Sequence, residues 1–232
     1  MKILVIIPAR GGSKGVPKKN IKLLDGKPLI QYTTDIALKS KLISKIVVSS
    51  DDDEIIEIAK ELGVDVPFKR PNSLAEDESP TLPVIKHAID FFEEQGIFFD
   101  AVCLLQVTSP FRTLTFLNEA IQKFCDEQND SLISVREVPH EYNPHWVFEP
   151  NTNGQLVIAT GEKEIITRRQ NLPKSYHRDG SIYITKTSVI KEQNSLYGNS
   201  IGYVISSEEN YVNIDTMEDW IKAEEFIKMN SL

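Results

Sequence analysis

The sequence predicts an α/β protein built on a doubly wound, mainly parallel sheet. Three observations lead there. Two strand-length runs, Ile3–Ile7 and Ala101–Val107, are apolar at almost every position, the pattern of strands covered on both faces. Such runs alternate with amphipathic helical stretches, which implies right-handed βαβ units. The 232-residue length has room for one such domain with a small appendage.

The elements follow in order. After the first strand comes a polar, glycine-rich loop, Arg10 to Asn20. A helix starts near Pro28, with Pro in its first turn and apolar Leu29, Ile30, Ala37 and Leu38. Lys45–Ser50 reads as a second strand ended by Asp51-Asp52-Asp53. These acids open a helix over Glu54–Leu62, where carboxylates favour the dipole, and Gly63 stops it. Val64–Phe68 reads as a short third strand, followed by a loop over 70–80. Leu82–Glu94 is an amphipathic helix, Ala101–Val107 a strand, Leu114–Phe124 a helix and Ser131–Val138 a strand. Residues 139–180 break the alternation. They are rich in Pro, Asn, His and turn residues, and read as an excursion or arm with a strand-like piece at Gln155–Ala159. The chain returns through strand-like Ser181–Thr185 and Gly202–Ser206, then Asn213-Ile214-Asp215. A closing helix runs from about Glu218 to Met229, with Thr216 as N-cap and Asp219 in its first turn.

Composition excludes several classes. Hydrophobic content of 41% and charged content of 26% are ordinary globular values, not those of a disordered chain. The net charge of −8 argues against nucleic-acid and membrane-surface partners, which favour a basic face. The apolar run Ile3–Ala9 is too short to span a membrane, and the chain reads as cytoplasmic. Cys103 and Cys125 lack metal-ligand spacing and read as reduced thiols. The charge is also uneven. Residues 1–24 carry six cations and no acid, which leaves 20 cations against 34 acids in the rest. An acidic body with a basic N-terminal segment points to an anionic ligand there.

In such a sheet ligands bind beyond the carboxyl ends of the strands. The loop Arg10-Gly11-Gly12-Ser13-Lys14-Gly15 lies there, after a buried strand. Its glycines let backbone N–H groups approach phosphate oxygens, and Arg10, Lys14 and Lys19 supply charge. It fits neither a Walker A loop nor a G-x-G-x-x-G fingerprint. Asp51-Asp52-Asp53 has two readings, a D-x-D metal site of a glycosyltransferase or a set of helix caps. Gln106 to Arg112 ends a buried strand, where an amide can read a base edge and Arg112 can pair an acid or a phosphate. The basic cluster Arg168, Arg169, Gln170, Tyr176, His177 and Arg178 suits a negatively charged sugar acid, or is a solvated loop. Asp215 reads as a metal ligand or a capping acid.

Taken together, the chain resembles the CMP-N-acylneuraminate (sialic acid) cytidylyltransferases over nearly its whole length. The resemblance rests on Ile7-Pro8-Ala9-Arg10-Gly11-Gly12-Ser13-Lys14-Gly15, Lys19-Asn20, Val48-Ser49-Ser50-Asp51, Arg70-Pro71, Leu74-Ala75 with Asp77, Leu105-Gln106 with Thr108-Ser109-Pro110 and Arg112, Arg169-Gln170 with Leu172-Pro173, Gly180 with Ile182-Tyr183, and Ile214-Asp215. It implies a Rossmann-like, GT-A-like nucleotidyltransferase that transfers CMP from CTP to a nine-carbon 2-keto sugar acid and releases pyrophosphate. It further implies Mg²⁺ (or Mn²⁺) and a homodimer whose arm helps close the partner's sugar site. Residues 1–138 would form the nucleotide-binding core, 139–180 the dimerisation and sugar-binding arm, and 181–232 the return to the core.

By residue, the resemblance implies that Arg10, Lys14, Lys19 and Asp215 act in catalysis. Gly11, Gly12, Ser13, Asn20, Arg70 and Thr81 join Arg10 around the nucleotide. Gln106, Ser109, Arg112, Arg169, Gln170, Tyr176, His177 and Tyr183 face the sugar, and Asp215 with Asn213 faces the metal. The chain departs from the family pattern in three places. Asn213 stands where an aspartate is usual, Asp179-Gly180 where Asn-Gly is usual, and Tyr176-His177-Arg178 alters the cluster after Leu172-Pro173. The last two widen the acceptor class to legionaminic, pseudaminic and other nonulosonic acids, and the base to GTP. The first leaves room for a nucleotide-binding module without turnover. A metal-dependent glycosyltransferase using Asp51–Asp53 is the other enzymatic alternative.

Overall fold

In a computed structural model, which describes residues 1–207 and 211–230, the chain enters through β1 (Ile3–Pro8). A two-stranded hairpin follows, β2 (Leu23–Leu24) and β3 (Lys27–Pro28). Asp25-Gly26 turns it, with φ of 49° and 74°, the left-handed pair a tight hairpin needs. Next come α1 (Leu29–Lys39), β4 (Lys45–Ser49), α2 (Asp53–Glu61), α3 (Thr81–Glu93), β5 (Ala101–Leu105), α4 (Leu114–Glu127) and β6 (Ser131–Glu137). The excursion carries a small hairpin, β7 (Phe148–Pro150) and β8 (Leu156–Ile158). The chain returns in β9 (Tyr176–Lys186), α5 (Thr187–Glu192), β10 (Ile201–Ile205) and α6 (Met217–Asn230).

The main sheet has the order β10-β6-β9-β5-β1-β4. Five of its strands run parallel, and β9 runs antiparallel between β5 and β6. Alternate residues of β1 serve the two faces. Ile3, Val5 and Ile7 pack with α1, α2, α4 and α6 through Ile30, Ile55, Phe124 and Trp220. Leu4 and Ile6 pack with α3 and α5 through Ile85, Phe92 and Ile190. Helices thus cover both faces, as the apolar runs require.

Local chemistry sets the ends of the helices. Asp52 caps α2, accepting from the N–H groups of Glu54 and Ile55 at 2.9 and 3.1 Å. Thr216 and Asp219 cap α6 reciprocally, each accepting from the other's N–H.

Two sequence expectations need correction. Val64–Phe68 is not a strand of the sheet. Asp65 alone bridges β4, accepting from the Val48 N–H at 3.1 Å. Pro67 carries no N–H with which to extend a ladder. Second, Ser181–Thr185 is the end of an eleven-residue strand whose polar first half, Tyr176–Gly180, pairs with β6. The pairing is interrupted by a bulge, in which residues 179–182 oppose Ser134 alone.

Candidate active site

The carboxyl ends of β1 and β5 open onto one cleft. Arg10, Ser13, Lys19 and Asn20 come from the loop after β1, Arg70 from the segment after α2, Thr81 from the start of α3, and Gln106 from the end of β5. Internal hydrogen bonds hold the walls of the cleft. Asn20 is buried and donates its amide N–H to the Arg10 carbonyl at 2.9 Å, folding the loop back on itself. Arg70 is only 4% exposed. Its Nε donates to Ser49 Oγ at 3.1 Å, and Nη2 donates to the Ser49 carbonyl. Burial pushes its pKa down to about 10, against the pull of Asp51, so it stays cationic at neutral pH.

The basic loop is held by its neighbours. Gly11 N–H donates to Asp51 Oδ1 at 3.1 Å. A Cβ on Gly11 would meet Asp52 Oδ2 at 2.6 Å, whereas one on Gly12 would meet nothing within 4 Å. A Cβ on Gly15 would lie 2.0 Å from the Asp215 carbonyl oxygen. The loop and the 213–216 segment are therefore in backbone contact. Lys19 Nζ ties them further, donating to the Ile214 carbonyl at 2.8 Å and meeting Asp215 Oδ1 at 3.1 Å. Asn213 donates its amide to Asp215 Oδ2 at 2.5 Å.

Across the mouth, Asp77 pairs with two cations of the loop, Arg10 Nη1 at 2.9 Å and Lys14 Nζ at 2.5 Å. The hydrogen bond from Lys14 is the main reason its carboxyl lies below the usual range, and Arg10 adds to it. The three consecutive acids after β4 have other work. Asp51 accepts from Gly11, Asp52 caps α2, and Asp53 pairs with Lys69 at 2.6 Å. A D-x-D metal centre would have to dismantle those contacts.

The expected sugar-facing set is not gathered in one place. Gln106 lines the cleft, and Gly180 lies over it. Gly180 has a φ of 83°, and a Cβ there would sit 3.7 Å from Gln106 Oε1. Ser109 and Arg112 lie behind this wall and are buried. Arg112 Nε donates to Ser181 Oγ at 3.0 Å, and Nη2 donates to the Ser181 and Gln106 carbonyls at 2.6 and 3.1 Å. Burial pushes its pKa down to about 10. Arg169 lines a hollow at the base of the excursion with Glu137, His140 and Lys174, and exposed Gln170 sits in the same 3-10 turn. Tyr176 begins β9 with its ring 5.1 Å from that of Tyr203, His177 is exposed, and Tyr183 is buried in the α3-side core.

The sequence profile described as cytidylyltransferase matches residues 4–228. The chain belongs to this family. The enzyme is 36% identical over 230 residues to a "Pseudaminic acid cytidylyltransferase" of Campylobacter jejuni, covering 99% of this chain and 98% of that protein. It is 35% identical over 231 residues to a "CMP-N,N'-diacetyllegionaminic acid synthase" of Legionella pneumophila, at 99% and 98% coverage. In fold it is similar to a solved CMP:2-keto-3-deoxy-manno-octonic acid synthetase complexed with CTP. The TM-score is 0.73 at 16% identity, covering 99% of this chain and 100% of that one.

Two features of the site carry more weight than the sequence reading gave them. Asp77 entered only as part of a motif, yet it pairs with both Arg10 and Lys14 of the basic loop. An acid in a strand-end loop facing an all-basic loop was the available signal. Asp179 entered only as a departure from Asn-Gly. It is 3% exposed and organises the β9 bulge. Its carboxylate accepts from the Ser181 N–H at 2.9 Å and from the Ser134 and Ser206 hydroxyls. As for a metal, no group of three or more His, Cys, Asp or Glu stands together among the described residues. The oxygen donors available are the Asp215 carboxylate and, by turning its amide, Asn213. One carboxylate and an amide oxygen suit a hard cation that keeps waters and phosphate oxygens as its other ligands.

Proposed function

We propose that the enzyme transfers CMP from CTP to a nonulosonic acid, a nine-carbon 2-keto sugar acid of the pseudaminic, legionaminic or sialic type, and releases pyrophosphate. One observation carries this reading. Cations and polar groups from the loop after β1, the segment after α2, the start of α3 and the end of β5 converge on a single cleft, where Arg10, Lys19 and Arg70 meet Gln106. The names of the relatives at 36% and 35% identity support the acceptor class.

The chemistry follows from charge. A triphosphate and a sugar carboxylate repel each other, so the anomeric hydroxyl reaches the α-phosphorus only where cations neutralise both. Arg10, Lys14 and Lys19 are proposed to hold the triphosphate, with Gly11, Gly12 and Ser13 offering N–H groups to its oxygens. Arg70, Asn20 and Thr81 complete the nucleotide side, and Gln106 orients the acceptor. The new bond forms from the anomeric oxygen to the α-phosphorus. The bond to the bridging oxygen breaks, pyrophosphate leaves and the hydroxyl proton passes to solvent. Mg²⁺, held by Asp215 with Asn213 and by the phosphates, would neutralise charge that builds on the leaving group. We further propose a homodimer, in which Arg169, Gln170, Tyr176 and His177 of one protomer approach the partner's acceptor.

The test is pyrophosphate release across a panel of nonulosonic acids with CTP and with GTP. Release is expected with CTP, only when acceptor and Mg²⁺ are both present, and EDTA abolishes it. No release with any acid and any nucleotide overturns the reading. CTP binding without turnover would instead identify a nucleotide-binding module, the outcome that Asn213 raises.

A further inference from the structure

Asp77 sits where a ligand anion is expected. Its carboxylate meets Arg10 Nη1 at 2.9 Å and Lys14 Nζ at 2.5 Å, the geometry of charge-assisted pairs. Both cations belong to the loop after β1, and Asp77 comes from the facing loop between Arg70 and α3. That facing loop is braced from within. Ala75 N–H donates to the Asn72 carbonyl at 2.9 Å, Ser79 N–H to the Glu76 carbonyl at 3.1 Å and Ser79 Oγ to the Ser73 carbonyl at 3.1 Å. It is pinned at one end by Arg70, whose N–H donates to the Ser50 carbonyl at 2.8 Å. Asp77 is thus presented by a formed loop. A phosphate that takes Arg10 and Lys14 must first displace it.

We infer that Asp77 is an anion gate, a carboxylate that holds the phosphate position between Arg10 and Lys14 and sets which anions the cleft admits. This rests on the CTP-dependent reading above. A triphosphate offers several oxygens and displaces one carboxylate with contacts to spare. Free pyrophosphate or orthophosphate exchanges one anion for another and gains less. The same competition works on the product side, where Asp77 recovers its cations as pyrophosphate departs. Asp77 is therefore a specificity-determining residue that acts through Arg10 and Lys14 and touches none of the reacting atoms.

The probe is inorganic pyrophosphate, titrated by calorimetry into the full-length enzyme without CTP, acceptor or metal. Asp77→Asn, which keeps size and loses charge, should bind pyrophosphate about tenfold tighter at low ionic strength, equal to about 1.4 kcal/mol. The gain should shrink in high salt, where exposed charges are screened. Asp77→Glu should stay near wild type. Glu76→Gln removes the same charge one residue away, and should tighten binding far less. Pyrophosphate inhibition of turnover should deepen in Asp77→Asn in parallel. Equal or weaker pyrophosphate binding by Asp77→Asn overturns the gate, and so does an equal gain in Glu76→Gln. The two readings separate cleanly. Failure of wild-type turnover sinks the transferase assignment, while the gate is read from pyrophosphate alone.

Discussion

Gly15 gives the sharpest test of how the basic loop is held. Replacing it by Ala puts a carbon 2.0 Å from the Asp215 carbonyl oxygen, whereas real contacts of this kind stay above 3.0 Å. The loop or the 213–216 segment must therefore move by at least about 1 Å. Lys19 Nζ spans the same gap, with 2.8 Å to the Ile214 carbonyl and 3.1 Å to Asp215. A shift of that size takes at least one of these beyond hydrogen-bond reach. Overpacking of this kind costs about 1–3 kcal/mol. At roughly 2–4 °C per kcal/mol for a chain of this size, Tm should fall by roughly 2–12 °C. Because about 1 Å of misplacement can cost on the order of 10²-fold in rate, turnover should fall more steeply than stability. Gly12→Ala is the internal control. Its Cβ enters open space, so it should change stability by less than about 1 kcal/mol. Thermal denaturation and pyrophosphate release, run side by side on both variants, decide the matter. If Gly15→Ala matches Gly12→Ala in both, the contact between the loop and the 213–216 segment does not constrain the enzyme.

Further outcomes follow from the same structure. Arg112→Met should destabilise by about 2–4 kcal/mol in urea denaturation, because it strips buried partners from the Ser181 and Gln106 carbonyls; a loss below about 1 kcal/mol would mean that those carbonyls find other donors. Lys19→Met should weaken CTP binding by about tenfold or more and lower turnover further, since it removes a cation from the cleft and frees Asp215; unchanged affinity in a binding titration would exclude Lys19 from the phosphate site. His87 is held below the ordinary histidine pKa, chiefly by burial, so the unfolded chain takes up its proton first as pH falls. Its contribution to stability is therefore complete above pH about 6.5 and declines as pH drops through the folded value. His87→Gln should flatten the wild-type loss of stability as pH falls below about 6.5, and an unaltered slope refutes the assignment. Burial pushes the Cys103 thiol up to about 12, so a thiol reagent should modify it only on unfolding; fast labelling of Cys103 in the native enzyme, read by mass spectrometry, would contradict that burial.

The sequence made the parallel strands legible because a strand covered on both faces is apolar at every position, as Ile3–Ile7 and Ala101–Leu105 are. It made the basic, glycine-rich loop at the cleft legible because the loop directly follows such a strand. The direction of β9 was not legible. A strand's pattern does not record which way it runs, and Tyr176–Gly180 is too polar to read as sheet without its partner β6. The β2–β3 hairpin carries its signal in the Asp25-Gly26 dipeptide, whose residues both take positive φ. Arg112 shows the limit of local reading. Whether an arginine faces a ligand or the interior depends on acceptors distant in sequence, and its Ser181 partner lies 69 residues away. Asp179 is similar, since the hydroxyls that accommodate its carboxylate come from β6 and the end of β10.

The reversed β9 has a consequence for how such an enzyme can change. Because β9 runs against its neighbours, the excursion leaves β6 at Glu137 and re-enters at Tyr176, and these two residues are paired in register. Both junctions therefore sit at one point on the ligand edge of the sheet. The intervening segment can be lengthened, shortened or grafted from another chain without re-registering any of the six strands. Everything that binds the nucleotide in the proposed mechanism lies outside that segment. A transplanted excursion should therefore leave the six-stranded sheet and the nucleotide half intact, which makes this junction the natural seam for building chimaeras.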